Sequence, residues 1–413
     1  MRVLSRRAIS ALAVTALMLV PGPSAAVTEA SRLASGFRNE VVAQVPRPTA
    51  LGFLPDGTVL VATVEGTVRL IDPGGAVRGE PVLDFRDRVC TEGERGMAGL
   101  AVDPAFASNR RIYVSYTFRK FRGCPIQTPD VPVNRVSRFV LEADGTVESG
   151  NETVLIDNVP SFGGTHNAGD LRFGPDGYLY VGMGDGGRDY QRRTNRSADN
   201  PASRDKNVLL GKVLRVTADG EAAPDNPFNG PGSTACARRG VAPPGAVCRE
   251  IYGWAFRNPF RMAFTADGRL VVNDVGQTAW EEVNVVAPGA DYGWPLREGP
   301  CHRDGRVRCG PAPPSMTDPV YSYAHRRGCS AITAGAFVPQ TLWPARFRGS
   351  YLYADLTCGI WAVRGLTEGS PRSIRFASGS EVIGVVAVEF RGADLYYASL
   401  YRDEIRRIRY VGR

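Results

Sequence analysis

Leu171-Arg172-Phe173-Gly174-Pro175-Asp176-Gly177 runs directly into Tyr178-Leu179-Tyr180-Val181-Gly182-Met183-Gly184. Two short apolar runs joined by Pro, Asp and Gly read as a β-hairpin, because these residues take up turn dihedrals at little cost. The phrase recurs along the chain. Leu51 to Gly57 precedes TVLVAT, Leu100 to Pro104 precedes RIYVSYTF, and Met262 to Gly268 precedes RLVVND. Ala336 to Pro339 precedes YLYAD, and Val388 to Gly392 precedes DLYYASL. Counted at the second apolar position, the copies lie 49, 71, 91, 73 and 53 residues apart. Spacing of roughly 60 residues suits four-stranded blades with long loops. The reading is all-β: a six-bladed β-propeller. A pair of β-sandwiches leaves the repeated phrase unexplained. No sustained 3.6-residue apolar period appears, so helices are expected to be few and short. The strand-like FRNEVVAQV (37–45) precedes the first copy and is placed to complete the last blade, leaving no free edge.

The composition is that of a globular chain: 413 residues, 43% hydrophobic, 22% charged, with 47 Gly and 30 Pro. The formal charge of +8 comes from scattered Arg, with Lys only at Lys120, Lys206 and Lys212. No basic run with interleaved aromatics stands out, which argues against nucleic acid as a partner. Arg2, Arg6 and Arg7, then apolar Ala8 to Val20, then Ser24 and Ala26, read as an export signal over 1–26. Residues 27–38 follow as a linker and 39–413 as the propeller domain, with no later membrane span. A secreted or periplasmic location is expected. Eight Cys in an exported chain imply disulfides. Sequential pairing is expected: Cys90–Cys124, Cys236–Cys248, Cys301–Cys309 and Cys329–Cys358.

Chemistry concentrates in three places. His166, set among Gly163, Gly164, Thr165, Asn167, Ala168 and Gly169, has little to pack against and is expected to face solvent or a cavity. The hairpin that follows returns Asp185 to its side, so a carboxylate can orient the imidazole and raise its basicity. The alternative is a loop-capping His beside an Asx turn at Asp185. GMGDGG (182–187) is no dinucleotide fingerprint, since no amphipathic helix follows it. Arg257 and Asn258 sit just ahead of another repeat strand, at the same blade end if blades are equivalent. The alternative there is an Arg stacked on Trp254. Asp274, Gly276, Gln277, Glu281 and Glu282, with Asp291 to Pro295 beyond, offer carbonyl and carboxylate oxygens of the kind calcium takes. A plain polar loop is the alternative.

HNAGDLRFGPDGYLYVGMGDGG (166–187), GKVLRV (211–216), DNPFNG (225–230), FRNPFRMAF (256–264), EEVN (281–284) and DYGWP (291–295) together resemble the glucose/sorbosone dehydrogenase family. That family includes soluble sugar dehydrogenases using pyrroloquinoline quinone (PQQ). The resemblance implies a six-bladed propeller binding PQQ and calcium. It implies oxidation of an aldose at C1 to a lactone, with electrons passed on to a separate acceptor. His166 matches the general base, Asp185 its partner, and Arg257 and Asn258 residues that contact the quinone. Gly276 and Gln277 match carbonyl donors to calcium; Glu282 and Tyr292 match a second calcium site. Glu94 stands where the family has a Gln near substrate and quinone, and Thr357 where it has a cofactor-binding Lys. Two Arg of the family have no counterpart in SEVIGVVAVEF (380–390). Losing these cations implies weaker hold on a tricarboxylate, with Arg257, Arg326 and Arg327 as substitutes. In these positions the chain resembles hedgehog-interacting-type propellers. This leaves open a calcium-stabilised propeller that binds carbohydrate or protein without redox chemistry. A lactonase is a third possibility, since His and calcium also serve lactones.

Overall fold

The repeated phrase builds the innermost hairpin of successive antiparallel sheets. Its turn is visible at atomic detail: Leu54 N–H donates to Thr58 O at 2.9 Å and Gly174 N–H to Tyr178 O at 2.9 Å. Gly57 and Gly177 take φ of 97° and 80°, which is why the phrase needs Gly there. The computed structural model describes residues 32–412 apart from 127, 129, 149, 192–199, 304–307 and 326–327. The export signal expected over 1–26 lies outside the described residues.

Six sheets have four or five strands each. The first is Pro48–Phe53, Val59–Thr63, Thr67–Ile71 and Leu83–Asp84. The second is Met97–Val102, Arg111–Phe118, Val133–Val140 and Thr153–Pro160. The third is Leu171–Phe173, Leu179–Met183, Lys212–Val216 and Ile251–Trp254. The fourth is Pro259–Phe264, Leu270–Asp274, Trp280–Val286 and Tyr321–Ala324. The fifth is Ile332–Phe337, Tyr351–Asp355, Gly359–Arg364 and Arg372–Ser378, extended by Arg32–Leu33. The sixth is Val385–Arg391, Asp394–Ser399 and Glu404–Tyr410, completed from the other end of the chain by Phe37–Gln44. The stretch 27–38, read as a linker, thus carries strand pairing from Arg32 onward.

Each sheet's first strand packs beside the first strand of the next, and the sixth returns to the first, so the sheets close in a cycle. Apolar side chains between neighbouring sheets form the core; Tyr113, Leu155, Val181 and Leu214, for example, fill the space between the second and third. Helix is limited, among the described residues, to Phe106–Asn109 and a 3-10 turn at Ser380–Val382. No described helix is long and apolar enough to cross a membrane. All eight Cys are paired, sequentially as expected: Cys90–Cys124, Cys236–Cys248, Cys301–Cys309 and Cys329–Cys358. Near the axis, Arg172 on the third sheet meets Glu389 on the sixth, three places around the cycle. Arg172 also pairs with Asp170 at 3.2 Å, and Arg261 donates to Thr49 O at 2.7 Å, tying further sheets together.

Candidate active site

His166 reaches its place through tight backbone contacts. It has φ of 51°, and its carbonyl lies so near Gly184 that a Cβ there would stand 2.0 Å from it. Only glycine permits that approach. The hairpin returns Asp185 alongside, and His166 Nδ1 lies 2.6 Å from Asp185 Oδ1. A carboxylate accepts here, so Nδ1 carries the hydrogen, and in the neutral ring Nε2 is then the nitrogen with the lone pair. Nε2 has no hydrogen-bond partner among the described residues. The ring is more enclosed than the small-residue surroundings suggest, with His166 only 7% exposed, because the segment folds back onto Gly184.

Asp185 is wholly buried. Its Oδ1 also accepts from Gly187 N–H at 2.7 Å, and its Oδ2 from Trp294 Nε1–H at 2.8 Å. Burial opposes its ionisation, but the His166 ring, the Arg257 guanidinium and the Gly187 N–H outweigh it and hold the carboxyl below its usual range. Its backbone is fixed too: Asp185 N–H donates to Arg257 O at 2.8 Å, and Asn200 Nδ2 to Asp185 O at 2.6 Å.

That backbone bond brings the Arg257–Asn258 pair to His166, as equivalence of the blade ends predicts. Asp274 accepts both N–H groups, from Arg257 at 2.9 Å and Asn258 at 2.6 Å. Arg257 donates to Val275 O at 2.8 Å and lies 5.6 Å from the Trp294 ring, not on Trp254. Trp254 instead carries Arg204 and Lys206. Arg257 Nε and Asn258 Oδ1 are buried without hydrogen-bond partners among the described residues.

A cavity of about 280 Å³ opens beside them. It is lined by Thr49, Ala98, Phe260, Thr333 and Val386 at the starts of five first strands, and by Ala168 just ahead of the remaining one. It therefore sits on the axis of the cycle, at one end. Glu94 lines it and accepts the His166 backbone N–H at 2.8 Å, so this candidate joins the site. Thr357 does not line it. The Thr357 hydroxyl is held by Asp355 and the Gly328 carbonyl, and Leu356 faces the cavity instead. Of the cavity's cations, Arg95 donates to Ser161, Cys124 and Pro125. Arg261 donates to the carbonyls of Phe260, Thr49 and Ala98. Arg47 stands at the mouth, paired with Glu65 at 3.0 Å. Arg326 and Arg327 lie outside the described residues.

The candidate metal ligands divide. Gly276 and Gln277 continue from Val275, which lines the cavity. Gly276 N–H donates to Glu281 at 3.3 Å and Gln277 N–H to Glu298 at 2.8 Å. Glu282 accepts from Gly299 N–H at 2.5 Å and Asn284 at 3.1 Å. Asp274 and Glu282 are both pushed up by burial, Asp274 further by the Glu282 charge and Glu282 by Glu298 and Glu281. Arg257 only partly offsets the Asp274 charge, and two buried carboxyls so close together are the electrostatic setting a divalent cation relieves. Tyr292 is apart from this group. Its ring stacks on Phe256 at 4.6 Å, and its hydroxyl bridges Val285 O and Ala287 N–H. The side chain is buried as part of the core.

The sequence does not mark Trp294 as a site residue, and it offers Asp274 only as a calcium-type oxygen, not as the acceptor that sets the Arg257–Asn258 backbone. Both stand in stretches singled out by the sequence, but nothing in their spacing shows that Trp294 reaches a carboxylate 109 positions away.

Fold and site together define a β-propeller-like protein with a carboxylate-oriented histidine beside an axial cavity. The Glucose / Sorbosone dehydrogenase family profile matches residues 45–362, and the chain belongs to that family. It is 30% identical over 267 residues to quinoprotein glucose dehydrogenase B of Acinetobacter calcoaceticus, covering 62% of this chain and 51% of that protein. The PQQ-bound aldose sugar dehydrogenase of Streptomyces coelicolor has a similar structure, with TM-score 0.67 and 25% identity, covering 92% of this chain and 99% of that one. Human hedgehog-interacting protein is 30% identical over 154 residues, 36% of this chain and 22% of that protein. The chain spans about half the length of the curated relatives it matches.

Proposed function

We propose that this protein is an exported, six-bladed propeller dehydrogenase that oxidises aldoses at C1 with PQQ and calcium. The carrying observation is the 2.6 Å contact between His166 Nδ1 and buried Asp185 beside the axial cavity. A cavity of about 280 Å³ is near the lower end of small-molecule sites. Asn258 lines the cavity, while Arg257, His166 and Asp185 lie behind that wall, with Asn258 Oδ1 and Arg257 Nε buried and unpartnered among the described residues. Asn258 and its neighbour Arg257 would hold the quinone, with Arg47 a further cation of the cavity lining. Gly276 and Gln277 carbonyls would hold calcium, with the Asp274–Glu282 pocket adjoining. When bound, PQQ with calcium would supply the two-electron hydride acceptor.

The chain's own part is proton handling and orientation. His166 Nε2 takes the hydroxyl proton from C1 of the sugar. Asp185 keeps the ring in the productive tautomer and stabilises the imidazolium that forms. Complete Cys pairing suits an oxidising compartment, in line with export.

The test is the purified protein with PQQ, calcium and a panel of aldoses, followed by the quinone's absorbance. Sugar-dependent reduction is expected; none with any aldose would overturn the reading. The second reading, a calcium-stabilised binding propeller, is favoured by one observation: Arg95 and Arg261 in the cavity already donate to protein oxygens. On that reading PQQ does not bind.

A further inference from the structure

Trp294 stands where the His166 site meets the 276–280 turn. Its indole Nε1–H donates to Asp185 Oδ2 at 2.8 Å, while Oδ1 faces His166 Nδ1 at 2.6 Å. One carboxylate thus links two rings, and its orientation is set from both sides. The indole is 3% exposed and held by its own backbone, with Trp294 N–H donating to Ala255 O at 3.0 Å and Trp294 O accepting from Ser203 Oγ at 3.2 Å. Its ring also lies under two guanidiniums, Arg257 at 5.6 Å and Arg303 at 4.3 Å. Arg303 in turn donates to Gln277 Oε1 at 3.1 Å.

We infer that Trp294 is a positioning residue for the His166–Asp185 pair, fixing the carboxylate so that His166 keeps Nδ1 protonated and Nε2 open. The physical case is geometric. A carboxylate held by His166 and Gly187 on Oδ1 alone can pivot about its Cβ–Cγ bond, and a donor on Oδ2 stops that pivot. A buried charge-assisted bond is also among the stronger hydrogen bonds. The cation–π contact gives the same ring a hold on Arg257, so the indole aligns base and candidate cofactor contact together.

The inference rests on the proposed role of His166, yet it can be read without sugar or quinone. The chain has three His and five Trp, so nitrogen-15 NMR of imidazole and indole groups in the full chain is tractable. In the wild type, His166 is expected as the Nδ1–H tautomer, and the Trp294 indole signal should move with the same midpoint as His166. In Trp294→Phe, the Nε2–H tautomer of His166 should rise several-fold while His302 and His325 signals stay in place, and kcat should fall about tenfold with KM little changed. An unaltered His166 tautomer in that variant would overturn the inference. Should Trp294→Phe fail to fold, the wild-type titration decides alone: an indole signal indifferent to His166 overturns it, and a shared midpoint supports it. The parent reading fails differently, through His166→Gln retaining full sugar oxidation.

Discussion

Asp185 has both carboxylate oxygens engaged, and its ionised form is favoured in the folded state. With the folded pKa below the free value of 3.8, its stabilising contribution is present above that value and lost as pH falls through the folded one. Asp185→Asn should therefore flatten the acid side of the stability profile. Urea midpoints of the wild type should fall more steeply than the variant's below about pH 4; parallel curves would contradict the assignment. Lys212 makes a second residue-scale case. Its ammonium is fully buried and donates to the carbonyls of Ala202, Ser203 and Leu210 at 2.8, 3.0 and 2.7 Å. Lys212→Met leaves three buried acceptors unpaired, a loss of roughly 3 kcal/mol or more, measurable by denaturant unfolding. Because these carbonyls belong to the segment that fixes Asp185 and Trp294, His166 should also lose its tautomer preference. The sequence showed the His166–Asp185 contact because the two lie 19 residues apart across one hairpin. It did not show that Leu356 rather than Thr357 faces the cavity, since both lie in the turn after Tyr351–Asp355, where strand alternation no longer sets side-chain direction.

The turn at 276–280 shows what one side chain does for an element. Glu298 Oε1 accepts the N–H groups of Gln277, Thr278, Ala279 and Trp280 at 2.8, 2.8, 2.9 and 3.2 Å. Burial works against its charge, but these four donors hold Glu298 below its usual range. Glu298→Gln should cost about 2 kcal/mol, the difference between charged and neutral acceptors. It should also weaken calcium binding, because Gly276 and Gln277 carbonyls lose their fixed direction. Calorimetric titration with calcium reads the second effect; unchanged affinity would separate the turn from the metal. At this scale the hairpins were legible, because Pro, Asp and Gly encode their turns locally. So were the disulfides, each closing a loop of 8 to 34 positions. The link between the turn and His166 was not, since it runs through Trp294 and Arg303, which meet only when the fourth sheet's long connection folds back.

For the whole molecule, closure of the cycle depends on residues near the start of the described chain. Phe37 begins the strand that completes the sixth sheet, and its ring lies 4.6 Å from Trp343, 5.7 Å from Phe347, 5.1 Å from Phe376 and 5.2 Å from Tyr410. Phe37→Ala should lower stability by about 2–3 kcal/mol, less than a fully buried Phe because the residue is half-buried. If closure holds the ring together, thermal unfolding should stay a single transition at lower temperature, and a separate early transition of the sixth sheet would contradict that.

The axial cavity is where closure and chemistry meet, since strand starts from the whole cycle wall it. The direct test of the account is a spectroscopic titration of the purified protein with PQQ, with and without saturating calcium, in the wild type and His166→Ala. The account predicts weak but saturable PQQ binding that depends strongly on calcium, because the metal supplies counter-charge that few free cations provide. It further predicts nearly equal binding in His166→Ala, with sugar oxidation abolished. No PQQ binding at high micromolar concentrations with calcium present would contradict it, leaving a propeller that binds without redox chemistry.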